Sequence, residues 1–261
     1  MDFRSRLGSL RLKVRESLYS RNAPLGDDGP IVSFSFDDFP RSAYTVGGSI
    51  LRNFGARGTY YTSIGLMNTV NELGEQFRRS DLEMLSDDGH ELASHTFSHV
   101  SCRSVSDGQF ADEVDRGRKA IQEITGQSDS GNFAFPFGEF TLRARKNLSS
   151  RLVSCRSIRN GLNGPEIDLS LLRANSLYGD DDKIEAAWQL IHQNEKQKGW
   201  LIFYTHDVRP NPSRFGCTPS LLESVVSFAS RSGARIMTVA EVLAEVGRST
   251  CQDNLEAGVK A

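Results

Sequence analysis

The segment Ile31–Phe36 (IVSFSF) is a short β-forming run that ends at two adjacent carboxylates, Asp37 and Asp38, with Pro40 two residues after them. A second run, Trp200–Tyr204 (WLIFY), is the most strongly apolar in the chain and leads into Thr205-His206-Asp207. Between and beyond them, strand-like runs alternate with helical patterns. The remaining strands are read at Gly58–Thr62, His90–Ser94, Asn132–Phe135, Leu152–Cys155, Leu171–Ser176 and Ala234–Thr238. Helices are read at Ser42–Phe54, Asp81–Asp88, Phe110–Thr125, Leu142–Ser150, Lys183–Lys198, Pro219–Ser232 and Val239–Val246, with Asp81 as an N-terminal cap and Gly126 as a C-terminal stop. Such alternation builds a largely parallel sheet with helices packed on it. About seven βα steps follow one another, with no Pro/Ser-rich linker and no internal repeat. The expectation is a single α/β domain.

Composition narrows the function. The 261 residues carry a net charge of −2, which gives no electrostatic footprint for nucleic acid. Cys102, Cys155, Cys217 and Cys251 are widely spaced and form no CxxC pair, so a cysteine-based zinc site is not expected. A chain of this length needs no disulfides, and free thiols in a reducing compartment fit it better. Residues 1–28 read as a basic extension in which Arg4, Arg6, Arg11, Lys13 and Arg15 alternate with Leu7, Leu10, Leu12 and Val14. That pattern suits a solvated helix on the domain edge, with weak contact to a membrane surface as the other reading. No stretch has the apolar length of a secretory signal or a membrane span, so the expected location is cytoplasmic. Residues 29–246 form the expected catalytic domain, and 247–261 a polar tail.

Five histidines occur, and three of them (His90, His95, His99) fall within ten residues, while His206 ends the strongest strand. The His95-Thr-Phe-Ser-His99 spacing puts two imidazoles on one face of a helical turn, where their nitrogens can converge on one cation. Alone, the pair reads more readily as two histidines on a helix surface. Asp37-Asp38 suits a site in which one carboxylate binds a cation and the other takes a proton from water. Alone, it is equally consistent with a turn or a helix cap. All three motifs would lie at strand C-termini, the face where α/β barrels carry their active sites. His90 and Trp188 read as packing residues and His192 as solvated. Asp207 either steers His206 or holds a turn.

Ser35-Phe36-Asp37-Asp38, His95-Thr-Phe-Ser-His99, Phe135-Pro136-Phe137-Gly138 and Thr205-His206-Asp207 together resemble the ordered motifs of the polysaccharide deacetylases, the NodB-like enzymes of carbohydrate esterase family four. The flanking GARGTYYTSIGLMN and GHELASHTFSH agree with it. The resemblance runs from about residue 31 to 243. It implies an irregular (β/α) barrel of about seven strands. It implies a divalent metal on Asp38, His95 and His99, zinc above all, with cobalt, manganese or nickel also able to occupy the site. It further implies Asp37 as general base, His206 as general acid, and Phe137, after Pro136, as the source of an oxyanion-binding N–H. The substrate implied is an N-acyl amino sugar in an oligosaccharide or glycan precursor. A hydrolase of small or cyclic amides and an inactive carbohydrate-binding barrel are the alternatives. Oligomeric state is not legible. Two departures stand out. Ala134 occupies the place where many members carry an arginine that pairs with the catalytic aspartate, and Arg173 is the expected replacement. Phe39 stands where a glycine often follows the first motif, which would alter the substrate floor.

Overall fold

All eight side chains of β1 (Ile31–Asp38) are buried, as a strand needs when it has neighbours on both edges and packing on both faces. The structure, a computed structural model, describes residues 19–26 and 28–248. The other strands around β1 are β2 (Thr59–Thr62), β3 (Glu91–Ser94), β4 (Asn132–Ala134), β5 (Ser154–Arg156), β6 (Asn175–Ser176), β7 (Trp200–Thr205) and β8 (Arg235–Ile236). They pair in parallel in the order β6-β7-β1-β2-β3-β4-β5, and β8 adds to the lower half of β1 beside β2. The two ends of this row meet through residues 172–177. Leu172 N–H donates to Cys155 O at 2.8 Å, Ser157 N–H donates to Leu172 O at 2.9 Å, and Leu177 N–H donates to Tyr204 O at 2.8 Å. The expected single-domain α/β barrel of about seven strands is therefore what the chain forms.

Helices α1 (Ser49–Asn53), α2 (Arg79–Asp87), α3 (Asp107–Thr125), α4 (Leu142–Ser149), α5 (Ile184–Gln197) and α6 (Pro219–Arg231) pack outside the strands. A seventh helical stretch covers 239–248. The first helix differs from its expected form, since residues 43–48 are wound as a π-turn before α1 begins. Asp81 is not the cap of α2. It lies in the first turn, where its buried carboxylate accepts from Arg78 N–H at 2.9 Å and pairs with Arg41 at 2.9 Å. Helix α3 starts three residues earlier than its apolar pattern suggests, because Ser106 accepts from Gln109 N–H and caps it; it ends at Gly126 with φ 67°.

The basic pattern of the N-terminal extension falls on residues 1–18, outside the described residues, as does nearly all of the tail 247–261. Within the extension, Asn22–Pro24 pairs antiparallel with Glu166–Asp168, and Arg21 donates to Ser149 O (2.6 Å) and Leu152 O (2.7 Å) at the end of α4. Among the described residues no helix is long and apolar enough to cross a membrane. Cys102, Cys155 and Cys217 are free and buried; Cys251 lies outside the described residues.

The end of the barrel opposite the strand C-termini is tied together by one carboxylate. Glu91 is buried, and burial pushes its carboxyl up, although Asn132, Ala240 N–H and Thr59 all donate to it. The distances are 2.6 Å to Asn132 Nδ2, 2.8 Å to Thr59 Oγ1 and 2.8 Å to Ala240 N. It thus joins β2, β3 and β4 to the start of the 239–248 helix, where a negative group is favoured. Glu91→Ala strands two buried donors, on Thr59 and Asn132, and a partly buried one at Ala240, and should cost roughly 3 kcal/mol or more. Thermal unfolding reads this directly, and an unchanged melting temperature would remove Glu91 from this role.

Candidate active site

At the C-terminal ends of the strands lies a cavity of 270 Å³ whose lining includes Asp37, Asp38, His95, His99, Phe137 and His206. In an extended strand two successive side chains point to opposite faces. Asp37 and Asp38 nevertheless reach the same cavity, because β1 ends there in a left-handed turn, with φ 61° at Asp38 and 65° at Phe39. Each non-glycine residue in that region costs on the order of 1 kcal/mol. Packing holds the turn: the Phe39 ring is fully buried and stacks on Phe77 at 5.0 Å and 11°. Phe39 therefore does not alter a substrate floor as expected; its ring belongs to the core.

His95 and His99 do not lie on a helical turn. β3 ends at Ser94, and residues 95–100 form a loop folded back by left-handed residues at Thr96 (φ 63°) and His99 (φ 54°). Helix α3 pins this loop. Glu113 accepts from Phe97 N–H through its carbonyl at 3.0 Å and from Ser98 N–H through its carboxylate at 2.7 Å. Gly117 allows the approach, since a Cβ there would sit 2.8 Å from Ser94 Oγ. The convergence expected of the i, i+4 pair is real, but loop curvature produces it.

The three expected ligands meet. His99 Nε2 lies 3.0 Å and His95 Nε2 3.4 Å from Asp38 Oδ1, and the three ligating atoms fall within 4.8 Å of one another. His95 Nδ1 lies 2.8 Å from Ala134 O, a group that only accepts, so the proton belongs on Nδ1 and the Nε2 lone pair faces Asp38. Asp38 Oδ1 is buried and makes no well-formed hydrogen bond. A lone pair aimed at a carboxylate oxygen in a buried site is repulsive unless a cation lies between them. The donor set fits a divalent cation. Burial holds the His95 imidazole down at about 4, so it stays neutral as a ligand must. Burial works to raise the Asp38 carboxyl, but His99, His95 and His206 outweigh it and hold it down at about 2.

Arg156, not Arg173, is the partner of Asp37. Its Nη2 lies 2.6 Å from Asp37 Oδ1 and also contacts Oδ2. Burial alone would lower the guanidinium pKa, and the neighbouring Asp37 carboxylate reverses this, so it is raised. Tyr61 and Tyr204 flank the guanidinium, with ring centroids 4.8 and 4.9 Å from Cζ. In the parallel register of β4 and β5, Arg156 stands directly beside Ala134. The side chain missing at 134 is thus supplied from the adjacent strand at the same level, and the small Ala134 and Ala93 pack with Tyr61 inside the barrel. Arg173 is exposed and donates instead to Asn160 O at 2.9 Å.

His206 Nδ1 lies 3.1 Å from Phe215 O, which leaves Nε2 to the cavity. Asp207 does not touch His206. It is fully buried, accepts from Ser213 N–H at 2.8 Å and lies 2.7 Å from Arg209 Nε, holding the loop over 207–217. Phe137 has φ 59°, is 61 % exposed and packs on His99 at 4.5 Å, whereas Pro136 is buried behind it. His90 packs as expected, against Tyr60 and accepting from Gly58 N–H at 2.9 Å. Trp188 packs on Phe228, and His192 pairs with Glu195 on the surface. The cavity residues Tyr178, Phe215, Asn71 and Glu72 carry no motif signal, and only the fold brings them in.

Residues 26–151, just under half of the chain, match the family model described as polysaccharide deacetylase. The peptidoglycan-N-acetylmuramic acid deacetylase PdaA of Bacillus subtilis (strain 168) is 24% identical over 126 residues, 47% of this chain and 45% of that protein. The chain thus matches less than half the length of this curated relative. The solved structure of Bacillus subtilis PdaA, a family 4 carbohydrate esterase, superposes with a TM-score of 0.57 at 14% identity, over 90% of this chain and 89% of that one. A family 4 acetyl xylan esterase from Clostridium thermocellum, solved with a cobalt ion, gives 0.55 at 18% identity, over 82% and 90%. These two superpositions show the shared fold.

If Arg156 aims Asp37, Arg156→Lys, which keeps the charge and loses the planar fork, should lower kcat about 10- to 100-fold with bound metal and KM little changed. A wild-type kcat in folded Arg156→Lys would exclude the aiming role.

Proposed function

We propose that the protein is a metal-dependent hydrolase that removes an N-acetyl or other N-acyl group from an amino sugar of an oligosaccharide or glycan precursor. The observation that carries this reading is the convergence of Asp38, His95 and His99 beside a second carboxylate, Asp37, which is clamped by Arg156. The family match of residues 26–151 and the cavity at the strand ends support it.

Asp38 Oδ1, His95 Nε2 and His99 Nε2 would hold a divalent cation; zinc suits this donor set best, with cobalt, manganese and nickel as alternatives. When bound, it supplies acidification of water and polarisation of the amide carbonyl. Asp37 takes the proton from the attacking water at a carboxylate oxygen, and Arg156 holds that carboxylate in place. The Phe137 N–H donates to the oxyanion that forms as the carbonyl becomes tetrahedral. His206 delivers a proton from Nε2 to the departing amine nitrogen, while its Nδ1–H on Phe215 O fixes the ring. The acyl group leaves as the free acid and the sugar as the amine.

Metal-stripped and zinc-restored protein should be tested for acid release across N-acyl sugars and small cyclic amides. Release from N-acyl sugars that depends on restored metal is the expected result; release from cyclic amides alone would replace the sugar reading. Asp37→Asn should lower kcat at least about 100-fold while retaining metal, and His95→Ala should lose the metal. Full turnover by Asp37→Asn would refute its role as base.

A further inference from the structure

The cavity has one wall that belongs to none of the catalytic motifs. Residues 70–75 form a small antiparallel hairpin, Val70–Asn71 against Gly74–Glu75, and its Asn71, Glu72 and Leu73 line the same space as the metal-binding trio. The hairpin emerges between β2 and β3, yet it is fastened to a loop that follows β7. Because the row of strands runs β7-β1-β2, the hairpin has to cross above the end of β1, where Asp37 and Asp38 stand.

Its anchors are of several kinds. Arg209 Nη2 donates to Glu72 O at 3.2 Å, and Gly74, at φ 105°, brings its backbone against the same guanidinium, where a Cβ would lie 3.1 Å from Nη1. Arg209 is in turn held at 2.7 Å by the buried Asp207, which explains why that aspartate turns away from His206. At the foot, Gln76 forms a bridge with Pro40, and its Nε2 donates to Asn71 Oδ1 at 3.0 Å. Phe77 stacks on Phe39, directly after the ligand Asp38. Leu73 is 4% exposed, so the hairpin is packed in place and not draped over the opening. The 270 Å³ that remain lie just below the roughly 300–1,000 Å³ typical of pockets for drug-sized ligands. That is room for one sugar ring and its acyl group.

We propose that the hairpin over 70–75 is a fixed end wall that limits the site to a single acylated amino sugar, free or at a chain terminus, and excludes the interior of a polymer. The inference rests on the acyl-sugar reading of the site. Arg209 is its positioning residue: it touches neither the metal-binding trio nor Asp37, and it acts by holding the wall.

The test compares zinc-loaded protein on N-acetylglucosamine, its β-linked oligosaccharides and a long soluble polymer, with the site of acyl loss located by mass spectrometry. The wild-type protein should remove one acyl group per chain whatever the length, always from a terminal sugar. A variant in which residues 70–75 are replaced by an Asn-Gly turn keeps the Phe39–Phe77 stack. It should raise the polymer-to-monosaccharide rate ratio about tenfold or more and begin to act on interior sugars. Arg209→Ala, which leaves every anchor at the foot, should move the same ratio in the same direction. Interior deacylation by the wild-type protein would overturn the inference alone, as would an unchanged ratio in folded forms of both variants. Absence of release from every N-acyl sugar by metal-loaded protein would overturn the acyl-sugar reading and this inference with it.

Discussion

The Asp37–Arg156 pair is the interaction on which the upper half of the barrel depends. Both groups are buried, and neither charge is tolerable there without the other: breaking such a pair by removing one partner costs about 3–5 kcal/mol. The pair joins β1 to β5 across the interior, and the two tyrosine rings beside the guanidinium leave it one orientation. A carboxylate fixed in this way is a poor stabiliser of a fold compared with packed hydrocarbon, but its orientation toward the cavity is set.

A second constraint follows from the strand itself. For two adjacent aspartates to serve one cavity, β1 has to end in a left-handed turn, which bulky side chains resist. The stack of Phe39 on Phe77 offsets that resistance by burying the offending side chain in the core. The same stack seats the foot of the hairpin that walls the cavity. Asp37, Asp38 and the cavity wall thus share one structural support, with His95 and His99 brought in from the neighbouring loop by Glu113 and Gly117.

The strands and most helices were legible in the sequence because their periodicity is local. Ile31–Phe36 and Trp200–Tyr204 read as strands from composition alone, and boundaries moved where a cap such as Ser106 overrode the apolar pattern or where pairing covered only part of a β-forming run. The residues of the candidate site were legible because motif order constrains them jointly. The partner of Asp37 was not. Nothing local distinguishes Arg156 from Arg173, since both lie near strand ends; only the register that sets Arg156 beside Ala134 decides which one points inward. The helical premise for His95 and His99 failed for a related reason, because a loop held by long-range hydrogen bonds can imitate the spacing of a helical turn.

By itself, then, the sequence determined which elements form and which side chains have the chemistry to bind a cation, accept a proton and donate one, because propensity and functional group are properties of residues. The tertiary structure alone decided which arginine neutralises Asp37, that Phe39 faces the core, and that Asp207 serves the wall instead of His206. Those outcomes depend on strand register and on contacts between segments far apart in the chain, where the energy of burying a charge or a ring is set by neighbours that local sequence does not specify.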